Sequence, residues 1–291
     1  MSKILHIVPG TDDVANGMVV VARLLAEEQG DAEVVDLTVG LDAIKKGDAE
    51  EVWVHGMWLP KEWRVCLKEL KAGKRLVRMT HGSLSPVYLK HQSPFKKRLV
   101  SPVERYLLRK ADKIVATCEA EADWIRSYEP RVKSIEVTDL KRFFDLSQDR
   151  AEQVEGRPLH LLYLGRRHPL KGLDHLESAV RQIQESTCST CSTWLKIVSN
   201  ASGKELDDAW NWCDVLVLPT LSDNFGLVIA EALERGKRVV TTDGAPAWGG
   251  GNTYGNRLTY IKGYRNGTIA ERVKRLHEAI SNLCNSNERK M

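Results

Sequence analysis

Two carboxylates bracket a short glycine-containing segment in the C-terminal half of the chain. A helix is predicted over residues 225–235. Asp223 comes just before this helix, and Glu231 lies about two turns inside it. The residues around Glu231 are almost all apolar, which predicts a buried helix in which a carboxylate costs several kcal/mol unless it is hydrogen-bonded. Two interpretations are open. Glu231 reaches a gap at the surface, or it accepts hydrogen bonds from ligand hydroxyls while the backbone N–H groups of residues 224–227 face an anion.

Arginine and lysine side chains lie on a second segment, residues 165–172, which reads GRRHPLKG and is bounded by glycines. It follows a strand predicted over residues 159–164 and precedes a helix. Arg166 and Lys171 there suit a diphosphate, because each phosphoryl charge would meet a donor without rearrangement. The alternative is an ordinary exposed basic loop. Arg167 and His168 are predicted to be bystanders.

Two histidines occupy equivalent places in the N-terminal half. His55 follows a strand predicted over residues 52–54, His81 follows one predicted over residues 75–79, and a glycine comes directly after each histidine. A glycine lets the backbone turn closely and leaves the histidine at the edge of a crevice. A single such histidine is usually structural. The pair favours a functional site, with His81 the stronger candidate.

Residues 86–113 are strongly basic. They contain eight lysines and arginines against two acidic residues, a local excess of six, and apolar residues recur among them at helical spacing. Three interpretations are open: a solvated helix packed on a sheet, a surface that rests on an anionic membrane, or a nucleic-acid surface. The net charge of the whole chain is only +4 and no reading motif accompanies the basic residues, so nucleic acid is not predicted as a partner.

Short β-branched strands alternate with helices along both halves of the chain, which predicts parallel sheets with ligands at the carboxyl ends of their strands. The chain has 291 residues, of which 42% are hydrophobic, enough for two domains with real cores. We predict an N-terminal domain over residues 1–150, a C-terminal domain over residues 151–265 and a final helix over residues 266–291. The first strand is followed by a loop that lacks G-x-G-x-x-G, so no dinucleotide fingerprint is present.

The composition also excludes several classes of protein. The apolar run near the N-terminus is too short for a signal peptide, and no stretch is long enough to span a membrane, so the sequence predicts a soluble, cytoplasmic protein. Cys188 and Cys191 form the only C-x-x-C, and no second pair follows at zinc-site spacing. Free thiols on a surface loop are expected there, although Cys213 could join them in space. We predict no metal.

The segment from Asp223 to Glu231 resembles the signature of bacterial family-four glycosyltransferases, which have the GT-B fold. The two acids are separated by seven residues, and the intervening Asn224-Phe225-Gly226 matches as well. Residues 165–172 resemble the second signature of that family, and the matching segments run from about residue 50 to residue 245. The resemblance implies two Rossmann-like domains that face each other across a cleft.

The resemblance also implies an activity. A retaining glycosyltransferase of this family moves a sugar from a nucleotide diphosphate sugar to a glycan or lipid-linked acceptor, here in cell-surface polysaccharide or lipopolysaccharide synthesis. It needs no metal and no cofactor besides the donor. A lipid-linked acceptor would bring residues 86–113 to the inner face of the cell membrane.

The resemblance assigns a role to each matching residue. Arg166 and Lys171 would stabilise the departing diphosphate, with Gly17 beside the donor phosphates. Glu231 would hold the ribose hydroxyls, and His81 would lie beside the reacting sugar. The remaining implied contacts are the sugar-binding Asp223 with the backbone of Asn224, Phe225, Gly226 and Leu227, and the acceptor-side His55 and Trp58.

The sequence departs from the family pattern in three places. Asp223 replaces the usual glutamate, and Thr138-Asp139-Leu140 lacks the usual Asn-Gly hinge. The strand over residues 194–198 and the helix over residues 204–212 are joined by few residues, where family members carry another helix and strand that help to contact the base. The second domain is therefore predicted to be shortened, and the sequence does not predict which nucleotide base it binds. Two other classes of protein also stay open: a sugar-nucleotide epimerase, and a non-catalytic nucleotide-sugar-binding or scaffold protein. The final helix is expected to cross back onto the first domain.

Overall fold

The computed structural model of the protein describes residues 4–11, 16–37, 39, 42, 49–147, 157–186, 192–199, 201–249 and 254–288. The chain divides into two compact units, Met1–Leu140 and Lys141–Met291. Each unit is an α/β structure built on a parallel sheet. This confirms the fold class that the sequence predicts. The predicted domain limits at residues 150 and 265 stay predictions.

The first unit contains a six-stranded parallel sheet in the order β2-β1-β3-β4-β5-β6. Its strands are β1 (Ile4–Val8), β2 (Ala32–Asp36), β3 (Glu51–His55), β4 (Arg75–Met79), β5 (Lys113–Ala116) and β6 (Ile135–Val137). Its helices are α1 (Gly17–Gln29), α2 (Pro60–Ala72), α3 (Pro86–His91), α4 (Ser101–Lys110) and α5 (Glu119–Tyr128). A π-helical turn, Lys96–Val100, leads into α4.

The second unit contains a five-stranded parallel sheet in the order β11-β10-β9-β7-β8. Its strands are β7 (Leu159–Leu164), β8 (Thr193–Val198), β9 (Val215–Leu218), β10 (Arg238–Thr242) and β11 (Leu258–Ile261). Its helices are α6 (Leu173–Glu185), α7 (Lys204–Trp212), α8 (Leu227–Glu234) and α9 (Ile269–Glu288). The sequence analysis did not predict β11, which is only partly buried and pairs with β10 in parallel.

The central strands β9 and β10 are buried along their whole length. All four residues of β9 are buried and apolar, and all five of β10 are buried, although Arg238, Thr241 and Thr242 are polar. Helices cover such strands on both sides of a parallel sheet, which explains the continuous apolar run of β9. Polar residues that end these strands are therefore held at the carboxyl edge of each sheet.

The second sheet ends at β8, which pairs only with β7 in the part of the chain that the structure describes. After β8 the chain enters α7 and then returns to the sheet interior as β9. The edge strand carries Trp194, which is 58% exposed. This arrangement agrees with the shortened second domain that the sequence predicts.

The C-terminal helix α9 packs against α6 and β11 within the second unit. Its inward side carries Val273, Leu276 and Ile280, all buried. The prediction of a helix in this part of the chain is confirmed. Its return to the first domain stays a prediction.

The interior of the first unit contains a buried ion pair. Arg78 and Glu104 are both fully buried, with 3.3 Å between guanidinium nitrogen and carboxylate oxygen. Arg78 also donates to the Gly56 carbonyl, while Glu104 accepts from the Trp58 backbone N–H at 2.6 Å and from the Trp63 indole at 2.8 Å. Buried charges persist only when they are paired and hydrogen-bonded in this way.

The ion pair gives the first prediction. Glu104→Gln leaves the Arg78 charge buried without its counter-charge, so we expect the free energy of unfolding to fall by about 3 kcal/mol in urea denaturation. The control is Glu136→Gln, which removes an exposed pair with Lys113 and is expected to cost less than about 1 kcal/mol. Equal losses in the two variants would contradict the importance of the buried pair.

Candidate functional site

Three loops of the second unit lie at the carboxyl ends of neighbouring strands and are tied together by hydrogen bonds. The Leu170 carbonyl, in the loop after β7, accepts from Leu221 N at 2.7 Å and from the Thr220 hydroxyl at 3.1 Å, both after β9. Asp223 N donates to the Gly244 carbonyl after β10 at 2.8 Å. The three loops thus form one connected rim. Of the predicted donor-binding residues, Arg166, Lys171 and residues 223–226 lie on this rim, Leu227 and Glu231 lie on the helix that follows it, and Gly17 belongs to the first unit.

Two glycines allow the loops of this rim to touch. Gly172 has φ +67°, and a Cβ at its position would lie 2.1 Å from the Pro219 carbonyl oxygen. A Cβ on Gly244 would lie 2.0 Å from the Thr220 carbonyl oxygen. Real side chains cannot occupy such space, so any other residue would push the loops apart. The glycine at the end of the predicted phosphate loop therefore serves the contact between loops.

Two charged residues of the rim pair with each other. The Lys171 ammonium lies 2.5 Å from Asp223, and both side chains are mostly buried. The sequence pattern assigned these two residues to separate parts of the donor and did not predict their pairing; the assignments themselves stay predictions. Arg166 is exposed and has no ion-pair partner among the described residues, whereas its neighbour Arg167 lies 3.7 Å from Glu177.

Helix α8 starts two residues later than predicted. Gly226, with φ +68°, precedes the first helical residue, Leu227. Glu231 therefore lies about one turn inside the helix rather than two. The helix buries Ile229, Ala230, Ala232 and Leu233, while Leu227, Val228 and Glu231 are only partly buried. Glu231 thus faces away from the fully buried side, at an accessible position near the helix N-terminus.

The surroundings of Glu231 disfavour the negative charge of its carboxyl group. Burial raises the pKa of its carboxyl, and the negative charge of Glu234 adds to this, while Arg235 opposes it. Within the described part of the chain, no donor is hydrogen-bonded to its carboxylate oxygens. A carboxylate that has lost water without gaining protein donors can accept hydrogen bonds from hydroxyls of a ligand.

Phe225 has a structural side chain. It is buried, its ring lies 5.3 Å from the ring of Trp248 and 6.4 Å from that of Phe144, and its carbonyl accepts from the Trp248 indole at 2.5 Å. Asn224 beside it is partly buried. Any ligand contact of Phe225 would therefore use its backbone, as the sequence analysis proposed for this segment.

In the first unit, three histidines form a hydrogen-bonded row. His6 Nδ1 lies 2.9 Å from His55 Nε2, and His55 Nδ1 lies 2.8 Å from His81 Nε2. His6 and His55 are fully buried, while His81 is partly exposed at the end of the row. At the other end, His6 Nε2 lies 2.7 Å from Gln29 Oε1. The structure thus brings the two predicted histidines into direct contact.

Glu121 holds the loop that carries His81. Its Oε1 accepts from the Thr80 hydroxyl at 2.6 Å and from Gly82 N at 2.7 Å, while Oε2 accepts from Thr117 N at 2.8 Å and its hydroxyl at 3.0 Å. The carboxylate is buried and thereby fixes the turn after β4.

The residues predicted for the acceptor side are less accessible than expected. His55 is fully buried, and Trp58 is only 5% exposed, with its ring edge-on to Tyr128. Trp58 also has φ +80°, in the left-handed region. Their side chains therefore belong to the core, and a contact with an acceptor would have to come from the backbone of this loop. The assignment of this loop to the acceptor side stays a prediction.

Gly17 is exposed and is the first residue of α1, directly after the N-cap residue Asn16, whose side chain accepts from Met18 N at 3.1 Å. It therefore lies at a helix N-terminus behind β1, as a phosphate-binding glycine would. Cys188 and Cys191 lie outside the described residues. Cys213 is buried, and burial raises the pKa of its thiol to about 12. Among the described residues, no group of three or more His, Cys, Asp or Glu side chains is arranged so that it could hold a metal ion.

The sequence analysis missed three residues of the histidine row and its surroundings: His6, Gln29 and Glu121. The signal for His6 was present, because it is a polar residue within the apolar strand Ile4–Val8. A histidine there needs a buried partner. Gln29 and Glu121 gave no such signal, because each is an ordinary residue of an amphipathic helix until the fold places it against a loop or strand.

Two models of protein domains match the chain. The glycosyl transferase 4-like domain matches residues 52–139, and the glycosyl transferases group 1 domain matches residues 158–286. The two ranges together span most of the chain and contain all the described rim and His55–His81 residues. No curated protein sequence matches the chain.

Solved structures with the same fold were also found. Sucrose-phosphate synthase from Thermosynechococcus elongatus has 16% identity and a TM-score of 0.63, over 98% of this chain and 93% of that one. A UDP-forming α,α-trehalose-phosphate synthase from Burkholderia vietnamiensis has 12% identity and a TM-score of 0.58, over 99% and 97%. The lipopolysaccharide outer core galactosyltransferase WaaB has 14% identity and a TM-score of 0.55, over 98% and 94%. These similarities establish the GT-B fold.

The histidine row gives a prediction for stability. Burial lowers the pKa of His6 to about 4, that of His81 to about 4 and that of His55 well below 6.5, while the Glu121 charge opposes the shift at His81. Between pH 6.5 and 4 the unfolded chain binds protons that the folded chain does not. The free energy of unfolding should therefore fall as the pH falls through this range, by up to about 1.4 kcal/mol per pH unit for each such proton.

The measurement is urea denaturation from pH 7 to pH 4, with His6→Leu as the test variant. It should flatten the dependence on pH, because one of the protons that only the unfolded chain binds is removed. The control is His91→Gln, which removes an exposed histidine of α3. Equal flattening in both variants would contradict a special role for the buried row.

Proposed function

The chain belongs to the group 1 glycosyltransferases, and we propose that it is a retaining, metal-independent enzyme that transfers a hexose from a nucleoside diphosphate sugar. The acceptor would be a glycan or a lipid-linked sugar of cell-surface polysaccharide or lipopolysaccharide synthesis. No cofactor beyond the donor takes part in this proposal. The UDP-forming synthase and the galactosyltransferase of the same fold support it by analogy.

Glu231 carries the proposal. Its carboxylate is partly buried, has a raised pKa and has no hydrogen-bond donor among the described residues. Two adjacent ribose hydroxyls would supply two donors to one carboxylate, which would offset the cost of burial. The helix N-terminus at Gly226 and Leu227 would face the more negative part of the same donor.

The cations of the rim would stabilise the leaving diphosphate. Negative charge develops on the diphosphate as the bond to the sugar breaks, so fixed cations there lower the barrier more than they strengthen ground-state binding. Arg166 is exposed and has no ion-pair partner in the described part of the chain, whereas Lys171 is already paired with Asp223. We infer that Lys171 shares its N–H groups between Asp223 and a phosphoryl oxygen. Asp223 is thereby held in place to accept a sugar hydroxyl.

His81 would contact the transferred sugar from the first unit, and Gly17 at the N-terminus of α1 would lie beside the phosphates. Two alternatives stay open: an epimerase that acts on the nucleotide sugar, and a non-catalytic protein that binds it. Product analysis separates an epimerase from a transferase. Hydrolysis of the donor without an acceptor separates an enzyme from a non-catalytic protein.

The donor site gives the third prediction. A thermal-shift and calorimetry panel of UDP-, GDP-, ADP- and dTDP-sugars should give a stabilising shift with one nucleotide class. Glu231→Gln should weaken its binding by about 10-fold to 100-fold, because hydrogen bonds to a charged group contribute about 1.5 to 3 kcal/mol. Arg166→Gln should slow donor cleavage by about 100-fold or more.

The controls come from the same elements. Glu234→Gln changes a carboxylate of α8 that accepts from Asp145 N, and Arg167→Gln changes the neighbouring arginine that pairs with Glu177. Both should stay within about threefold of the unmodified protein. If Glu234→Gln and Glu231→Gln weaken binding equally, the ribose assignment is wrong. If no nucleotide sugar binds, the glycosyltransferase proposal itself fails.

The basic segment of residues 86–113 supports a peripheral contact with an anionic membrane at the inner face of the cell membrane. Phe95 is 68% exposed and Leu99 is 56% exposed, and exposed Lys90 and Arg98 lie near them in the sequence. Apolar side chains beside cations suit the boundary between anionic headgroups and acyl chains. Across the described ranges, no helix is both long and apolar enough to cross a bilayer.

Sedimentation with vesicles tests this contact. The variant Leu99→Gln with Arg98→Gln should bind vesicles containing anionic lipid several-fold more weakly, because it loses both an apolar anchor and a charge worth about 1 kcal/mol near such a surface. The control is Lys274→Gln on α9, an exposed residue of the second unit. Unchanged sedimentation of the double variant would rule out this surface.

A further inference from the structure

The histidine row crosses three neighbouring strands on one side of the first sheet. His6 lies opposite Trp53 in the register of β1 and β3, and His55 is two residues further along β3. Because side chains alternate along a strand, Trp53 and His55 share a face. His81 follows β4, the next strand in the sheet. The row therefore runs from the middle of β1 to the carboxyl edge of the sheet, which is where parallel sheets bind ligands.

The far end of the row fixes the direction of its hydrogen bonds. Gln29 presents its carbonyl oxygen to His6 Nε2, and an oxygen can only accept. His6 Nε2 therefore carries the hydrogen, which leaves His6 Nδ1 to accept from His55 Nε2. By the same rule, His55 Nδ1 accepts from the Nε2–H of His81. Each neutral imidazole has one donor and one acceptor, so a single choice at Gln29 sets all three rings.

We propose that Gln29 and His6 are positioning residues which act through His55 to hold His81 in the Nε2–H form, so that its free Nδ1 accepts a hydrogen bond from a ligand hydroxyl. This rests on the proposed function only in that the hydroxyl belongs to a sugar. No partner of His81 Nδ1 lies among the described residues. A site that presents an acceptor here would select a hydroxyl and disfavour a carbonyl or phosphoryl oxygen.

The surroundings keep the row in one arrangement. His6 stacks on Trp53 at 4.9 Å between ring centroids, and His6 and His55 are fully buried, which favours neutral rings. Glu121 is the acidic group that acts on His81. Its Oε1 accepts from Gly82 N of the loop that carries His81, and its Oε2 accepts from Thr117 N after β5. The Lys113 ammonium lies 5.1 Å from the centroid of the Trp53 ring. The rings are thus held neutral while their neighbours are fixed by other contacts.

The experiment is two-bond ¹H–¹⁵N correlation spectroscopy of the histidine rings in the whole protein at pH 7. Each neutral tautomer has its own pair of nitrogen shifts. We expect His6, His55 and His81 all to be neutral with Nε2 protonated. A His81 ring that is protonated at Nδ1, or at both nitrogens, would overturn the proposal. This result does not depend on any substrate, so it is separate from the outcome of the glycosyltransferase assays.

Variants at Gln29 test the action at a distance. Gln29→Met removes the acceptor, so the Nδ1–H form of His81 should appear in the spectrum. Donor turnover should then fall about tenfold, the effect of one lost hydrogen bond of about 1.4 kcal/mol. Gln29→Glu keeps an acceptor oxygen, so the tautomer of His81 and the donor turnover should both stay as in the unmodified protein. The control, Glu27→Gln, changes an exposed residue of α1 and should alter neither.

The outcomes separate the two proposals. A shifted His81 tautomer with unchanged turnover would show that the row orders its rings without serving transfer, and would overturn the positioning role. Unshifted tautomers in Gln29→Met would overturn the control of the row by Gln29. If Gln29→Met does not fold, the ring shifts of the unmodified protein still decide the tautomer of His81. If no transfer is detected in any variant, the glycosyltransferase proposal fails while the spectra still test the row.

Discussion

The buried ion pair between Arg78 and Glu104 is the interaction on which the first unit depends. Each partner is fully buried, and each also binds the loop that follows β3, Arg78 through the Gly56 carbonyl and Glu104 through the Trp58 N–H. That loop begins directly after His55, the central ring of the histidine row. The left-handed backbone of Trp58 is costly for a residue other than glycine and persists because these contacts fix it. A buried charge pair therefore helps to position a row of neutral rings, two of which are also fully buried.

The second unit achieves order by different means. Its three strand-end loops are joined mainly through backbone carbonyls, such as that of Leu170, and through glycines that admit close contact. The ion pair between Lys171 and Asp223 lies on the rim itself and not under it. Glu231 is the acidic residue of the rim without a protein donor in the described part of the chain. A rigid backbone frame thus leaves the side chains as the adaptable part of the site.

Apolar runs, turn glycines and the spacing of two acids are local patterns, so the sequence predicted most of the strands and located two segments that the structure joins in the rim. It did not predict relations between distant residues. Lys171 and Asp223 are far apart in the sequence and pair only after β7 and β9 become neighbours. Glu121 is an ordinary helix residue in the sequence, and only the fold places it against the turn after β4. Strand β11 was also missed, although its four residues, LTYI, include the apolar Leu258 and Ile261.

The open edge at β8 has a consequence for solubility. A terminal strand exposes backbone donors and acceptors that can pair with another copy of the protein and start aggregation. The six residues TWLKIV are rich in β-formers, and Lys196 is their only charge. A lysine in the middle of such a strand would have to be desolvated if a second strand paired with it, which discourages the pairing. The ammonium group of Lys196 therefore protects the edge at β8, which no further strand covers in the described part of the chain.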